Sequence, residues 1–151
     1  MRRFGGWAVG RLVAGRVYLR VTGLRQRAVM TTTATAPYDR SPAWLACYEP
    51  AREVYRVTSS WPRAELFGLV SQARRSAFSA PANLAEGMAR RGPKELRRFL
   101  DIALGSLAEL DVALRLARDA GILEDEAWSD LEERRRIAGR LAGGLARSLR
   151  C

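Results

Sequence analysis

Apolar residues recur at every third or fourth position through most of the chain, and this spacing constrains the fold more than any other feature. An α-helix turns once in about 3.6 residues, so such positions line one face, which must be buried against other helices. The inward positions expected for the second helix are Leu66, Val70, Ala73, Ala77, Ala80, Leu84 and Met88. Those of the third helix are Leu96, Leu100, Ala103, Leu107, Leu110, Leu114 and Ala117, and those of the fourth are Trp128, Leu131, Ile137, Leu141, Leu145 and Leu149.

Proline and glycine mark where these helices begin and end. Ser41 followed by Pro42 is typical of a helix N-terminus, and Gly92 followed by Pro93 ends one helix and begins the next. Gly121 is expected to end the third helix. The four helices that these signals predict span about residues 42–60, 63–89, 93–120 and 124–149.

Two prolines fall inside the expected helices. Pro50 removes one backbone hydrogen bond from the first helix, so a kink or a break is expected there, and Pro81 is expected to bend the second helix. Long helices joined by short loops pack antiparallel with their neighbours. The sequence therefore predicts an all-α domain over residues 41–151, an antiparallel up-down four-helix bundle.

Residues 1–29 differ in composition from the rest of the chain. They hold seven arginines and no acid, and so account for most of the net charge of +10. A Thr/Ala-rich linker follows Met30 and is closed by Pro37. We expect residues 1–40 to be a disordered or spurious basic extension and linker, with Met30 as the natural start of the protein. A disordered basic arm that belongs to the protein and an amphipathic segment that binds a surface are the alternatives.

The cysteines and the lengths of the apolar runs indicate the cellular compartment of the protein. Cys47 and Cys151 belong to no CxxC pair and form no disulfide framework, so a reducing cytoplasm is expected. No run of about 18 apolar residues is present, so no membrane-spanning segment is expected. Arginines interrupt the apolar stretches of residues 1–29, which argues against a secretion signal.

The chain contains no histidine, which is the commonest general base and metal ligand. It also lacks a glycine-rich phosphate loop between a strand and a helix. The carboxylates Asp101, Glu109 and Asp111 of the third helix do not share one face. We therefore expect a protein that is not an enzyme, with no catalytic, cofactor-binding or metal-binding residues. Three acids instead have an arginine four residues later and are expected to form exposed ion pairs: Asp111 with Arg115, Asp130 with Arg134, and Glu132 with Arg136.

In an up-down bundle, the connection between the second and third helices lies at the same end as the terminus of the fourth. That end collects seven cations, Arg90, Arg91, Lys94, Arg97, Arg98, Arg147 and Arg150. Compensation of the helix dipole explains arginines at helix C-termini, but it does not explain Lys94, Arg97 and Arg98 in the first turns of the third helix. A helix N-terminus ringed by cations is typical of an anion site. We predict nucleic-acid contacts at Arg90, Arg91 and these three residues, with Arg74 and Arg75 as further candidates; a solvated surface is the alternative.

A polar stripe follows the second helix on the side opposite its apolar face. The predicted stripe consists of Gln72, Ser76, Ser79, Asn83, Glu86 and Arg90. Alanines flank these positions, so another helix can approach them closely. We predict a subunit interface at Gln72, Ser76, Ser79, Asn83 and Glu86, with a solvated face as the alternative. Gly105 and Ser106 of the third helix are likewise expected to permit close packing.

Several separate motifs occur in a fixed order along the chain. On the second helix they are Phe67-Gly68-Leu69, Gln72-Ala73-Arg74-Arg75-Ser76-Ala77 and Pro81-Ala82-Asn83-Leu84-Ala85-Glu86-Gly87. On either side lie Val54-Tyr55, Trp61-Pro62, Phe99-Leu100, Ile102-Ala103, Gly105-Ser106-Leu107 and Glu109-Leu110. This order resembles the family of 23S rRNA intervening-sequence proteins, also called four helix bundle proteins, from about Trp44 to Leu149. Pro50 departs from the pattern expected of that family.

The resemblance implies a four-helix subunit that assembles as a homopentamer. It also implies kinship with the accessory variability proteins of diversity-generating retroelements, which bind nucleic acid and a reverse transcriptase. We therefore expect a bacterial, cytoplasmic homo-oligomer that binds RNA or DNA weakly and without regard to sequence. The alternative is a protein-interaction scaffold or adaptor that binds no nucleic acid. The partners that these readings allow are further copies of the chain, nucleic acid, and a reverse transcriptase or another protein, but no membrane.

Overall fold

A computed structural model of the chain describes residues 12–13, 16–17 and 36–149. The chain divides into two compact units, Met1–Thr35 and Ala36–Cys151. In the first unit, strands β1 (Leu12–Val13) and β2 (Arg16–Val17) form a two-stranded antiparallel ladder. The expectations of a disordered or spurious extension and of a start at Met30 fall almost entirely on residues outside those described.

The second unit contains four long helices, as the apolar spacing predicts. They are α1 (Pro42–Val57), α2 (Leu69–Ala89), α3 (Pro93–Asp119) and α4 (Asp125–Ser148). Each helix packs on two others in the closed order α1, α2, α3, α4 and back to α1. This unit is therefore an all-α four-helix bundle. No helix in the part of the chain that the structure describes is long and apolar enough to cross a membrane.

Two clusters of buried apolar side chains fill the bundle. One cluster joins the C-terminal halves of α1 and α3 to the N-terminal halves of α2 and α4, and includes Val54, Val70, Leu110, Leu114 and Leu131. The other joins the opposite halves of the same helices, and includes Cys47, Leu84, Leu100, Ala142 and Ala146. This mixing of helix ends is what consecutive helices produce when they run in alternating directions.

Cys47 belongs to the second cluster and is fully buried. Burial raises the pKa of its thiol to about 12, from an ordinary value of 9.0, because the apolar surroundings disfavour the charged thiolate. The thiol is therefore protonated at neutral pH, and Cys47 acts as a small apolar side chain of the core.

α1 begins as the sequence predicts but ends at Val57, earlier than the expected Ser60. At its start, the Ser41 hydroxyl accepts a hydrogen bond from the Trp44 amide at 3.3 Å. At its end, three successive hydroxyls donate to carbonyl oxygens of the last turns at 2.7–3.0 Å, in residues 58–60. Such side-chain hydrogen bonds compete with the helical backbone pattern and favour termination.

α2 begins at Leu69 rather than near Arg63, because Arg63–Glu65 forms a separate 3-10 turn. The Glu65 carboxylate accepts a hydrogen bond from the Leu69 amide at 3.2 Å and so caps the helix. Leu66 therefore precedes the helix, and the prediction that it faces inward is wrong, since its side chain is 48% exposed. The inward positions from Val70 to Leu84 are confirmed as buried.

Of the kink or break expected at Pro50, the break does not occur, because α1 is continuous through this residue. Pro50 is buried in the bundle, and the apolar contact of its ring offsets the one backbone hydrogen bond that proline cannot donate. Pro81 is also buried within a continuous helix.

α4 faces the core with smaller residues than the sequence pattern predicts. Ala138, Ala142 and Ala146 are buried, whereas Leu141 is 41% exposed and Ile137 is half-buried. The prediction of Leu141 as an inward residue is therefore wrong. The buried face is displaced by one position along the helix, where small side chains allow α4 to lie close to its neighbours α1 and α3.

Candidate nucleic-acid interface

The connection between α2 and α3 lies at one end of the bundle, which we call the basic pole. It consists of Arg90, Arg91, Lys94, Arg97, Arg98 and Arg147. Gly92 forms the connection with φ of 93°, a conformation that glycine adopts without strain. Pro93 then occupies the first position of α3. This short connection holds the end of α2 beside the start of α3.

α4 contributes to the same end of the bundle. An Nη1–H of Arg97 donates a hydrogen bond to the carbonyl oxygen of Ala146 at 2.9 Å. The start of α3 therefore meets the end of α4, as an up-down order predicts. Arg147 follows at once and is exposed, while Arg150 lies outside the described residues.

Three of the predicted nucleic-acid-binding residues are partly neutralised on their own helices. Arg90 pairs with Glu86 one turn earlier. Arg97 pairs with Asp101 at 3.2 Å, and Arg98 with Glu95 at 3.3 Å. All three pairs are solvent-exposed, and such pairs contribute only about 0–1 kcal/mol. Their arginines can therefore exchange a carboxylate for a phosphate at small cost.

Together with Arg147, the residues Arg91 and Lys94 carry the uncompensated charge of the basic pole. Both side chains are exposed, and neither forms an ion pair within residues 36–149. They lie on either side of Gly92, beside the first turn of α3, where the helix dipole adds further positive potential. This is the part of the predicted site best suited to an anion.

Phe99 organises the basic pole, although sequence reasoning did not assign it a role there. Its ring lies 4.3 Å from the guanidinium carbon of Arg98 and 5.8 Å from that of Arg90. Both distances fall in the range of cation–π attraction. Phe99 is itself buried, so its ring provides a fixed contact for both arginine side chains. The sequence contains a signal for this role of Phe99, because the aromatic residue directly follows two arginines.

The structure does not bring Arg74 and Arg75 to the basic pole. They lie near the start of α2, and sixteen residues of helix place Arg74 roughly 24 Å from Arg90. Arg74 donates from Nε to the Thr58 hydroxyl at 2.8 Å. Arg75 donates to the Gln72 side chain at 2.9 Å. The predicted set of seven residues therefore forms two separate groups.

Some residues of the predicted subunit interface form contacts within the subunit, whereas others are exposed. Ser76 is buried and donates to the Gln72 carbonyl oxygen at 2.8 Å, so it is not on the surface of the subunit. The Ser79 hydroxyl accepts hydrogen bonds from the Ser106 hydroxyl at 2.8 Å and from the Asn83 side chain at 3.0 Å. These serines are used within the subunit, at the seam between α2 and α3. Gln72 and Glu86 are exposed.

Gly105 does not serve close packing within the subunit. A methyl group added at this position would meet no atom within 4 Å. Gly105 instead lines an open cleft of about 420 Å³ between α2 and α3, together with Arg75, Ser79, Ile102, Ser106 and Glu109. The close approach of these two helices occurs at Gly87, where an added Cβ would lie 2.7 Å from Cβ of Phe99.

Comparison with known proteins identifies the family of this bundle. A model of the family described as 23S rRNA-intervening sequence protein matches residues 40–143. No curated protein matches the chain. The matched region is more than half of the chain; it contains α1, α2 and α3 in full, most of α4, and the motifs on which the resemblance was first based. The chain therefore belongs to the 23S rRNA-intervening sequence protein family.

Proposed function

We propose that this chain is a self-associating protein without enzymatic activity that binds nucleic acid through phosphate groups at its basic pole. The observation that carries the proposal is the pair Arg91 and Lys94, exposed beside the N-terminus of α3 with no carboxylate partner among the described residues. Phosphate contacts position a protein on nucleic acid but carry no sequence information. The binding is therefore expected to be indifferent to sequence.

A subunit that makes few phosphate contacts binds nucleic acid weakly, and self-association raises the affinity. Each phosphate that a cation neutralises on duplex DNA contributes roughly −0.9 to the slope of log K against log salt. Several subunits that present the same basic pole to one strand add their contacts through avidity. An oligomer can therefore bind usefully although each pole offers only a few free cations.

The double variant Arg91→Gln/Lys94→Gln tests the proposal. Affinity of the full chain for a labelled DNA duplex is measured by fluorescence anisotropy at several salt concentrations. Loss of two phosphate contacts per pole is expected to weaken binding and to lower the magnitude of the salt slope by roughly 2 per engaged subunit. Arg97 is left unchanged, because its hydrogen bond to Ala146 also joins α3 to α4.

The double variant Arg63→Gln/Arg136→Gln is the matched control. It removes the same charge from two exposed positions, one in the connection between α1 and α2 and one in the middle of α4. Its salt slope is expected to stay close to that of the wild type. Equal salt slopes in the wild type and both variants would contradict the assignment of the basic pole. An equal loss of affinity in both variants would show that net charge, and not the basic pole, determines binding.

Self-association is supported by a row of apolar side chains on the outer face of α3. Ile102, Val112 and Leu116 are 41%, 57% and 54% exposed, although they lie in a regular helix. Their spacing places them on one face together with Gly105 and the exposed Glu109. Exposed apolar rows of this kind mark interaction surfaces. The homopentamer implied by the family resemblance is the assembly that we propose.

The same row also supports a second candidate function, a protein-interaction scaffold that binds no nucleic acid. Phe67, which precedes α2, is 91% exposed and adds to the apolar surface available for a protein partner. The anisotropy measurement separates the two functions. A scaffold would leave the duplex unbound at moderate salt in wild type and variants alike.

A further inference from the structure

A groove of about 600 Å³ runs between α1 and α2, and none of the residues of the basic pole lines it. Five of its lining residues are aromatic, and one is a cation: Tyr38, Trp44, Tyr48, Tyr55, Phe78 and Arg52. Its volume is in the range of pockets that hold small organic molecules. The remaining lining consists of alanines and Pro81, so the rings dominate its chemistry.

The rings on α1 form a fixed wall. Trp44 and Tyr48 are stacked, with ring centroids 5.0 Å apart and an interplanar angle of 15°. Tyr38 packs on Trp44 at 4.8 Å. Trp44 is held in place because its Nε1–H donates to the Pro81 carbonyl oxygen of α2 at 3.1 Å. The wall is therefore already formed before any ligand binds.

Aromatic surface remains accessible on both sides of the groove. Tyr48 on α1 is 42% exposed, and Phe78 on α2 is 63% exposed. Because both rings line the same groove, they form part of one apolar surface, and contiguous apolar surfaces mark interaction sites. Flat ligands are suited to such surfaces, because π-faces stack on one another.

A positively charged group without a carboxylate partner lies next to Tyr55, which lines the groove, although this group does not line the groove itself. The Arg74 guanidinium is 5.1 Å from the ring of Tyr55, and its Nε donates to the Thr58 hydroxyl at 2.8 Å. Thr58 is buried and is fixed in turn by donating to the Val54 carbonyl oxygen at 2.7 Å. The outer N–H groups of Arg74 form no ion pair within residues 36–149. The guanidinium is thus oriented and partly buried, yet its charge is free to bind an anion.

We propose that this groove binds single-stranded nucleic acid, with unpaired bases stacked on Tyr48 and Phe78 and a phosphate on Arg74. The inference rests on the proposed function and extends it to a class of substrate. Aromatic platforms combined with cations are the usual means of binding single strands without sequence preference. A base-paired duplex keeps its bases inside and cannot use the aromatic wall.

The charge on Arg74 favours a nucleic acid over an apolar helix as the occupant. An apolar helix that lay in the groove and continued past Tyr55 would cover Arg74 and remove water without supplying a counter-charge, which is costly. A phosphate supplies the counter-charge and accepts hydrogen bonds from the planar guanidinium in a bidentate manner.

The variant Phe78→Leu tests the inference, because it keeps an apolar side chain but removes the π-face. Affinities of the full chain for a labelled 12-nucleotide single strand and for the matching duplex are measured by fluorescence anisotropy. The variant is expected to bind the single strand roughly tenfold more weakly or worse, with little change for the duplex. Arg74→Gln is likewise expected to weaken binding of the single strand more than binding of the duplex. Phe67→Leu is the matched control, because Phe67 is exposed outside the groove.

Each other outcome overturns the inference in a distinguishable way. Unchanged affinity of Phe78→Leu for the single strand, with a weakened Arg91→Gln/Lys94→Gln variant, would reject the groove and leave the proposed function intact. Unchanged single-strand affinity together with a lower mass of Phe78→Leu in light scattering would assign the groove to a contact between copies. A wild-type chain that binds neither nucleic acid would reject both proposals.

Discussion

Gly87 lies against Phe99 at the seam between α2 and α3. An added Cβ would lie 2.7 Å from Cβ of Phe99 and 3.1 Å from Cδ1 of Leu96, distances that real Cβ atoms rarely show. Phe99 in turn supports Arg90 and Arg98 through its ring. One missing side chain therefore sets both the helix spacing and the position of charges at the basic pole.

Gly87→Ala is expected to lower the free energy of unfolding by about 1–3 kcal/mol, because the added methyl group forces the helices apart. Gly139→Ala makes the same chemical change in α4, where an added Cβ meets nothing within 4 Å. It should raise the stability by up to about 1 kcal/mol through helix propensity alone. Urea unfolding at equilibrium measures both. A shift of both variants in the same direction would contradict the close approach at Gly87.

Two of the three ion pairs predicted within one helix are observed, whereas contacts between helices could not be predicted from the sequence. The pairs Asp111–Arg115 at 2.9 Å and Asp130–Arg134 at 2.7 Å are confirmed, because helical geometry alone brings residues four apart together. The predicted pair of Glu132 with Arg136 is wrong. The observed pairs are Glu132 with Arg135 and Glu133 with Arg136, both three residues apart.

Contacts between helices depend on how far each helix slides along its neighbours. The Ser79–Ser106 hydrogen bond and the Arg97–Ala146 hydrogen bond are of this kind. One sequence contains no direct signal for that displacement. Periodicity alone places the polar stripe on α2. It does not show which residues of the stripe a neighbouring helix covers, so the burial of Ser76 was not predicted.

For α4, the sequence predicts the helix correctly but predicts the wrong buried face. Large apolar residues drew the prediction to Ile137 and Leu141, since burying a leucine is worth about 2 kcal/mol. The structure buries Ala138, Ala142 and Ala146 instead. Close packing along a row of alanines gives the backbone of α4 contacts that leucines at the same positions would prevent.

Ala142→Leu is expected to destabilise the bundle by about 1–3 kcal/mol, because Ala142 is fully buried and the larger side chain overpacks the core. Leu141→Ala, one residue earlier, is expected to cost less than about 1 kcal/mol, because Leu141 is half exposed. Thermal unfolding of both variants provides the measurement. A larger cost for Leu141→Ala would show that the leucine face of α4 is the buried one.

At the scale of the whole molecule, the charges of the bundle are separated along its length. The basic pole lies at one end, whereas the connection between α3 and α4 lies at the other and carries Glu124, Asp125 and Glu126. An assembly of parallel subunits standing side by side would place all basic poles on one surface, against the repulsion between their like charges. The outer face of α3 is placed along the side of the bundle and so suits that arrangement.

Light scattering on the full chain tests the assembly. A wild-type mass that is a multiple of the 16.8 kDa subunit is expected, with five copies as the proposed number. Val112→Glu/Leu116→Glu places two charges on the outer face of α3 and is expected to give a monomer. Leu45→Glu is the control, because Leu45 is similarly exposed on α1, which does not pack on α3. A monomeric wild type would contradict self-association.

The two clusters of the core have a consequence for cooperativity. Each cluster takes one half of every helix, so the ends of the bundle are stabilised by different sets of contacts. Proteins open locally in cooperative units that follow such divisions, and amide hydrogen exchange resolves them. Amides beside Cys47, Leu84, Leu100 and Ala142 should therefore exchange as one group, and those beside Val54, Leu114 and Leu131 as another. The end that holds the basic pole can then open locally while the opposite end keeps the subunit folded.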